Sequence, residues 1–433
     1  MASNIMHAST KIRPDSLLSE ISRTIATSAI LMAPFTWSYV GSVGGMLIRA
    51  VDLYMIALIL VVALQGRITC LPGKVPALMY CLICLLLLRS IGYSDSSAAI
   101  SAIKISYYLI AAIMMATAFR DVQNRPKDRS NIYALVLVSP VLALFMFQLS
   151  AVFIELAQSR SLLSGSQILF RGWNEIFSQN IFGANDALDI TGVSFRNSAG
   201  IAFVVAALHM FMREGKVSSV VMLLLMGTAA LLFSRSVWLI QLLFLALLIL
   251  RSRGRIRIVL TFILAIVTVL VLISPFLSEA ISQRVNSNFG RSEMIYAAFD
   301  KFDSAFIFGR NEGAEVVLLD GEMKSVHNVP LGFLLKTGVI GFLLSCAISF
   351  IFLYSAVVRL FDLVLGVVDS PRQSIVVVVV SVILFSRPMV SASHDVFFSI
   401  GEWCALAMYL AYGGPRFARV RYKKRLAFSP QRT

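Results

Sequence analysis

The chain has 433 residues, of which 58% are hydrophobic and only 14% charged, and its mean hydropathy is +0.82. That is too apolar for a water-soluble domain and describes a polytopic membrane protein. A net charge of +15 would point to nucleic acid in a soluble chain, but here its distribution among the connecting segments decides its meaning.

The first 23 residues, MASNIMHASTKIRPDSLLSEISR, are polar and mixed in charge and carry no apolar core with a small-residue cleavage site. They are expected to be a cytoplasmic tail, with no cleaved signal peptide. A single integral domain is expected over 24–412, all-α, with about 12 transmembrane helices. The apolar runs fall near 24–46, 50–66, 75–92, 100–119, 132–154, 195–212, 217–234, 236–250, 258–277, 329–355, 374–391 and 396–412, followed by a basic tail over 413–433. No internal repeat or soluble domain interrupts them.

The connections alternate in charge. GRITCLPGK, RDVQNRPKDR, MREGK, RSRGRIR and the tail PRFARVRYKKR fall with the N-terminal tail on one side, which the positive-inside rule makes cytoplasmic. That side holds 24 of the 38 Lys and Arg and 7 of the 23 Asp and Glu, so it carries +17 and the rest of the chain −2. Topology and attraction to anionic lipid thus absorb the basic excess, and no nucleic-acid partner is expected. Both termini are expected in the cytoplasm.

Two longer polar segments, 155–194 and 278–328, face the other side, and loops of that length usually bind or gate. In the second, RSEMIYAAFDKFDSAFIFG sets Met294, Ala298, Phe302 and Ala305 near helical spacing. The pattern predicts a short amphipathic helix on the outer membrane surface. In the first, FRGWNEIF offers Trp173 as an aromatic headgroup anchor. Cys70, Cys81, Cys84, Cys346 and Cys404 fall mostly within apolar runs and read as small buried hydrophobes, Cys81-x-x-Cys84 included.

Polar groups gather at the outer ends of the spans. Arg196 and Asn197 open one helix, Arg235 stands at a tight turn, Arg291 opens the amphipathic segment, and His327 with Asn328 ends the loop. Each arginine alone reads first as a headgroup anchor, and otherwise as the partner of a carboxylate such as Glu155. Together they suggest an anion site floored by apolar helices, suited to a lipid bearing pyrophosphate. His327, whose ordinary pKa lies nearest neutral, can take a hydroxyl proton, or simply cap the helix that follows. His7, His209 and His394 are weaker candidates. Arg387 and Glu402 are expected to form an intramembrane ion pair of structural importance. No metal-ligand spacing, nucleotide loop or nucleophilic-serine motif is present, and no cofactor is expected.

HNVPLGFLLKTGVIG, SRSVW, GRSEMIYAAFDKFDSAFIFGRNEG and SFRNSAGIA, in that chemical context, resemble segments of the O-antigen ligase and polymerase superfamily. These are bacterial inner-membrane enzymes acting on glycans carried by undecaprenyl pyrophosphate. The likeness spans roughly 194–345, and the number and order of spans extend it. FGRNEG departs from it, with Arg310 where the family often has a second glycine.

The resemblance implies a lipid-linked-glycan transferase fold of the GT-C type in the bacterial inner membrane, with its active site on the periplasmic side. It implies inverting, metal-independent transfer of the glycan to a sugar hydroxyl. Arg235 and Arg291, with Arg196 beside them, would hold the pyrophosphate, His327 would act as base, and Asn328 would orient the acceptor. The modest second loop favours an O-antigen or exopolysaccharide polymerase, and a ligase using lipid A core as acceptor is the alternative. Expected partners are the lipid-linked donor, the glycan or lipid A core acceptor, membrane lipid, and a chain-length regulator or envelope polysaccharide assembly. From another class, a transporter or flippase shares the many spans, and a noncatalytic envelope scaffold remains if the polar groups prove dispensable.

Overall fold

A computed structural model describes residues 14–35, 39–43, 46–66, 73–93, 96–120, 129–158, 192–213, 215–231, 234–252, 295–296, 307, 309, 316–319, 322–325, 328–368, 370–389 and 397–413. The described residues are overwhelmingly helical: α1 (Pro14–Met32), α2 (Ala50–Leu64), α3 (Lys74–Tyr93), α4 (Ser96–Arg120), α5 (Ser130–Gln158), α6 (Gly192–Met212), α7 (Lys216–Leu231), α8 (Arg235–Arg251), α9 (Val329–Val364), α10 (Pro371–Ser386) and α11 (Ile400–Tyr412). Four are long and apolar enough to cross a membrane, over Lys74–Gly92, Ala98–Arg120, Ser130–Phe147 and Val329–Val364, and five shorter helices are similarly apolar. The chain is a helical membrane protein.

Most helices follow the apolar runs closely, but the first span differs from its expectation over 24–46. The helix starts at Pro14 and stops at Met32. Instead β1 (Tyr39–Val43) pairs antiparallel with β2 (Met46–Arg49), with Val43 opposite Met46. Pro34 cannot continue an α-helix, and the Gly44-Gly45 pair suits a tight hairpin rather than a helix interior. A second antiparallel strand pair, β3 (Val316–Leu319) with β4 (Glu322–Ser325), precedes α9. The expected span at 258–277 lies outside the described residues. So does most of the expected amphipathic helix, of which Ile295 and Tyr296 are helical and exposed.

The core forms where small residues let helices approach. Ala199 through Met210 of α6 are wholly buried, and Gly401 of α11 lies so close to Ala202 that an added Cβ would stand 2.8 Å from its Cα. In α10, Val376 through Val380 are buried at every position, as befits an inner helix surrounded by others. Outward faces of α3, α5, α7 and α8 expose Leu88, Phe147, Leu224 and Leu239, each at least 64% accessible. So much exposed apolar surface would be a liability in water and suits hydrocarbon.

Short connections fix the two ends of the bundle. Gly401 beside Ala202 puts the start of α11 with the N-terminal half of α6. At the other end, Arg372 of α10 covers the Phe211 ring of α6, and Gln373 donates to the Tyr412 carbonyl of α11.

Candidate functional site

The start of α9 follows the polar segment 278–328, and two kinds of hydrogen bond hold it. Asn328 is the N-cap: its Oδ1 accepts from the Leu331 amide at 3.0 Å, while Pro330 occupies a first-turn position whose missing N–H costs nothing. Its Nδ2 donates to the Met389 carbonyl at 3.2 Å, and the Val329 amide donates to the Pro388 carbonyl at 2.7 Å. The lip of α9 is therefore bonded to the turn that follows α10.

Under that turn lies the expected ion pair. Arg387 Nε donates to Glu402 Oε1 at 2.9 Å, with side-chain exposures of 4% and 0%. The other oxygen, Oε2, accepts from the Ser399 amide at 2.9 Å. Both carboxylate oxygens are thus engaged, which makes a buried pair tolerable. Phe397, with φ 61°, is the one described non-glycine residue of positive φ. Its ring packs on Phe333 of α9 at 5.7 Å and on Phe398 at 4.8 Å, so the turn and the helix share an apolar joint.

Two turns further into α9 the helix breaks. Gly338 has φ 69° and ψ −164°, a conformation essentially reserved for glycine. Three residues on, Gly341 has no room for a side chain, because Thr337 Oγ1 stands where its Cβ would be; that hydroxyl donates to the Phe333 carbonyl at 2.7 Å. The glycine pair in KTGVIG is thus a structural requirement.

Just before the break Lys336 is 5% exposed, and its Nζ donates to Ser101 Oγ of α4 at 3.1 Å. Arg89, near the end of α3, is 7% exposed. Gly309, from the FGRNEG stretch of the outer loop, joins these two: a Cβ there would collide with the Lys336 carbonyl group and stand 2.7 Å from Arg89 Nη1. Its φ of +82° adds a second reason for glycine. The backbone at Gly309 therefore sits against the Lys336 carbonyl and the buried Arg89 guanidinium. Nearby in the sequence of helices, Asp52 at the start of α2 accepts from the Arg49 amide at 2.9 Å and from Tyr108 OH at 3.3 Å, while its own carbonyl accepts from Tyr107 OH.

The SRSVW turn is equally fixed. Arg235 is the first residue of α8, and Ser234 precedes it as N-cap, buried and within 3.1 Å of Ser236 Oγ. Trp238 Nε1 donates to the Ala230 carbonyl at 2.9 Å and Gln241 to that of Met226 at 2.8 Å, stapling α8 to α7.

Of the residues singled out in the sequence, Asn328 is placed with its side chain and performs a capping and cross-linking task. Arg196 and Asn197 fall in the first turns of α6 and Arg235 at the head of α8; their side chains, and all of Arg291 and His327, lie outside the described residues. His209 is a buried core histidine, 3.2 Å from Thr27 Oγ1 and tilted against Phe119. Arg89, Lys336 and Asp52 were not singled out. Their signal was available as lone ionisable residues near the ends of apolar spans, in LLLLRSIGY, FLLKTG and RAVDLYM.

No family model matches the chain, and no curated protein matches it.

Proposed function

We propose that this protein transfers a glycan from an undecaprenyl-pyrophosphate carrier to a sugar hydroxyl at the end of the bundle bearing Asn328, as an O-antigen or exopolysaccharide polymerase. The observation that carries the reading is the seat of Gly309 against the buried Arg89 guanidinium, at the Lys336 carbonyl. It brings the outer loop, which ends at His327, down onto buried positive charge inside apolar helices. A lipid pyrophosphate needs that combination: hydrocarbon for the chain and cations, shielded from water, for the phosphates.

In this reading about twelve helices of a GT-C-type transferase span the bacterial inner membrane, with both termini cytoplasmic and the reactive end periplasmic. His327 takes the proton of the acceptor hydroxyl as that oxygen attacks the anomeric carbon, and the pyrophosphate leaves from the opposite face. Arg235 and Arg291, with Arg196, stabilise the charge that grows on the leaving group. Arg89 adds a guanidinium beside Gly309. Asn328 and the Arg387–Glu402 pair hold the lip where the base must stand.

The test is an assay of the purified protein in nanodiscs with undecaprenyl-pyrophosphate-linked repeat units, with and without lipid A core, resolved on a gel. A ladder from the donor alone is the expected result. Product only in the presence of core would make the protein a ligase. No new glycosidic bond under either condition, beside an active control enzyme, would reject the transferase reading in favour of transport.

A further inference from the structure

At the opposite end of the bundle a cavity of about 390 Å³ opens between the end of α6, the start of α7 and the start of α10. Its polar wall is made by Arg213 and Arg372, its apolar wall by Phe211 and Met222, and its rim by Gly215 and Ser219. Arg213 is 8% exposed, so its guanidinium is set into the protein rather than extended into solvent. Arg372 is positioned by the Phe211 ring, with Cζ 5.8 Å from the ring centroid. The rim is rigid: both the amide and the hydroxyl of Ser219 donate to the Gly215 carbonyl at 3.1 Å.

We propose that this cavity is a binding site for a phosphate group at the membrane surface, separate from the reactive end. Guanidinium is the side chain best matched to phosphate, through paired donors whose attraction strengthens as water is removed. Two of them line a hollow whose volume falls within the range of small-ligand pockets, roughly 300–1,000 Å³. The same chemistry would take the headgroup of an anionic phospholipid, with its glycerol and acyl ends over Phe211 and Met222, or a soluble phosphate compound. This site does not rest on the transferase reading, and its test involves no catalysis.

Two variants of the full chain separate charge from space. Arg213→Gln with Arg372→Gln removes both cations. Ser219→Trp keeps both and fills the cavity, so it excludes a ligand without altering charge. Each purified protein, checked for monodispersity, is mixed with phosphatidylglycerol or phosphatidylcholine in detergent and its retained lipids are counted by native mass spectrometry. Thermal midpoints are measured in parallel with and without inorganic phosphate.

The expected result is that the wild-type protein retains phosphatidylglycerol over phosphatidylcholine by about tenfold, as suits charge-assisted hydrogen bonds, and that both variants lose the preference. A midpoint raised by inorganic phosphate in the wild type alone, with lipid retention equal in all three proteins, would identify a soluble phosphate as the occupant. Equal lipid retention and no phosphate response in any of them would overturn the proposal. So would a loss seen in the double arginine variant but not in Ser219→Trp, because the attraction would then be to charge outside the cavity.

Discussion

The two ends of the bundle set different surroundings about their basic residues. At the Asn328 end, Arg387 is closed over by Glu402, Lys336 by Ser101, and the lip of α9 by the carbonyls of Pro388 and Met389. At the other end, Arg213 and Arg372 border an open hollow. The first group shapes the helices around it, whereas the second also borders space that a ligand can enter. The contrast teaches that a membrane arginine takes its meaning from the space beside it.

The largest effect should come from breaking the closed pair. Glu402→Ala leaves Arg387 buried without its carboxylate and is expected to cost about 3–5 kcal/mol, seen as loss of folded protein in size-exclusion profiles and a lowered thermal midpoint. Replacing both partners by apolar residues, Arg387→Met with Glu402→Leu, should restore most of that loss. If the single variant were as stable as the wild type, the two ends would not differ as described.

Gly338→Ala comes next. A side chain at φ 69°, ψ −164° costs on the order of 1–3 kcal/mol, so the midpoint should fall and α9 should tend to straighten. Gly309→Ala meets both a positive φ and the Lys336 carbonyl, so the midpoint should fall as well, and glycan transfer, compared at equal amounts of folded protein, should fall further. Asn328→Ala removes the cap and the link to Met389, at about 1 kcal/mol for the cap alone. Asn328→Asp should recover the cap and not the link. A thermal series over these variants ranks them, and the reverse order would mean that the lip is held by other contacts.

Much of the architecture was legible because a bilayer demands long apolar runs, and α3, α4, α6 and α8 begin and end close to the expected positions. The Arg387–Glu402 pair was legible for a related reason: two opposite charges at neighbouring outer ends have few other partners. The first span was misread because hydropathy over 24–46 is blind to Pro34 and to the Gly44-Gly45 pair, which favour a stop and a hairpin. The second strand pair carried its own signal in the sequence, Asp-Gly at 320–321 between two apolar-containing runs, a dipeptide that favours tight hairpins.

The Lys336–Ser101 contact could not be read in advance, since residues 235 apart in the chain meet only through the packing of α9 against α3, which in turn packs on α4. The same holds for Gly309. Its glycine is visible in FGRNEG, but what it touches is decided by where the outer loop lands.

If the Asn328 end is the reactive one, the group at its lip must be indispensable. His327→Ala, purified in nanodiscs and compared with wild type at equal amounts of folded protein, measures that directly through formation of glycosidic bonds from the lipid-linked donor. A base in this position predicts a loss of about a hundredfold or more with an unchanged thermal midpoint. Transfer at the wild-type rate by the alanine variant would contradict it.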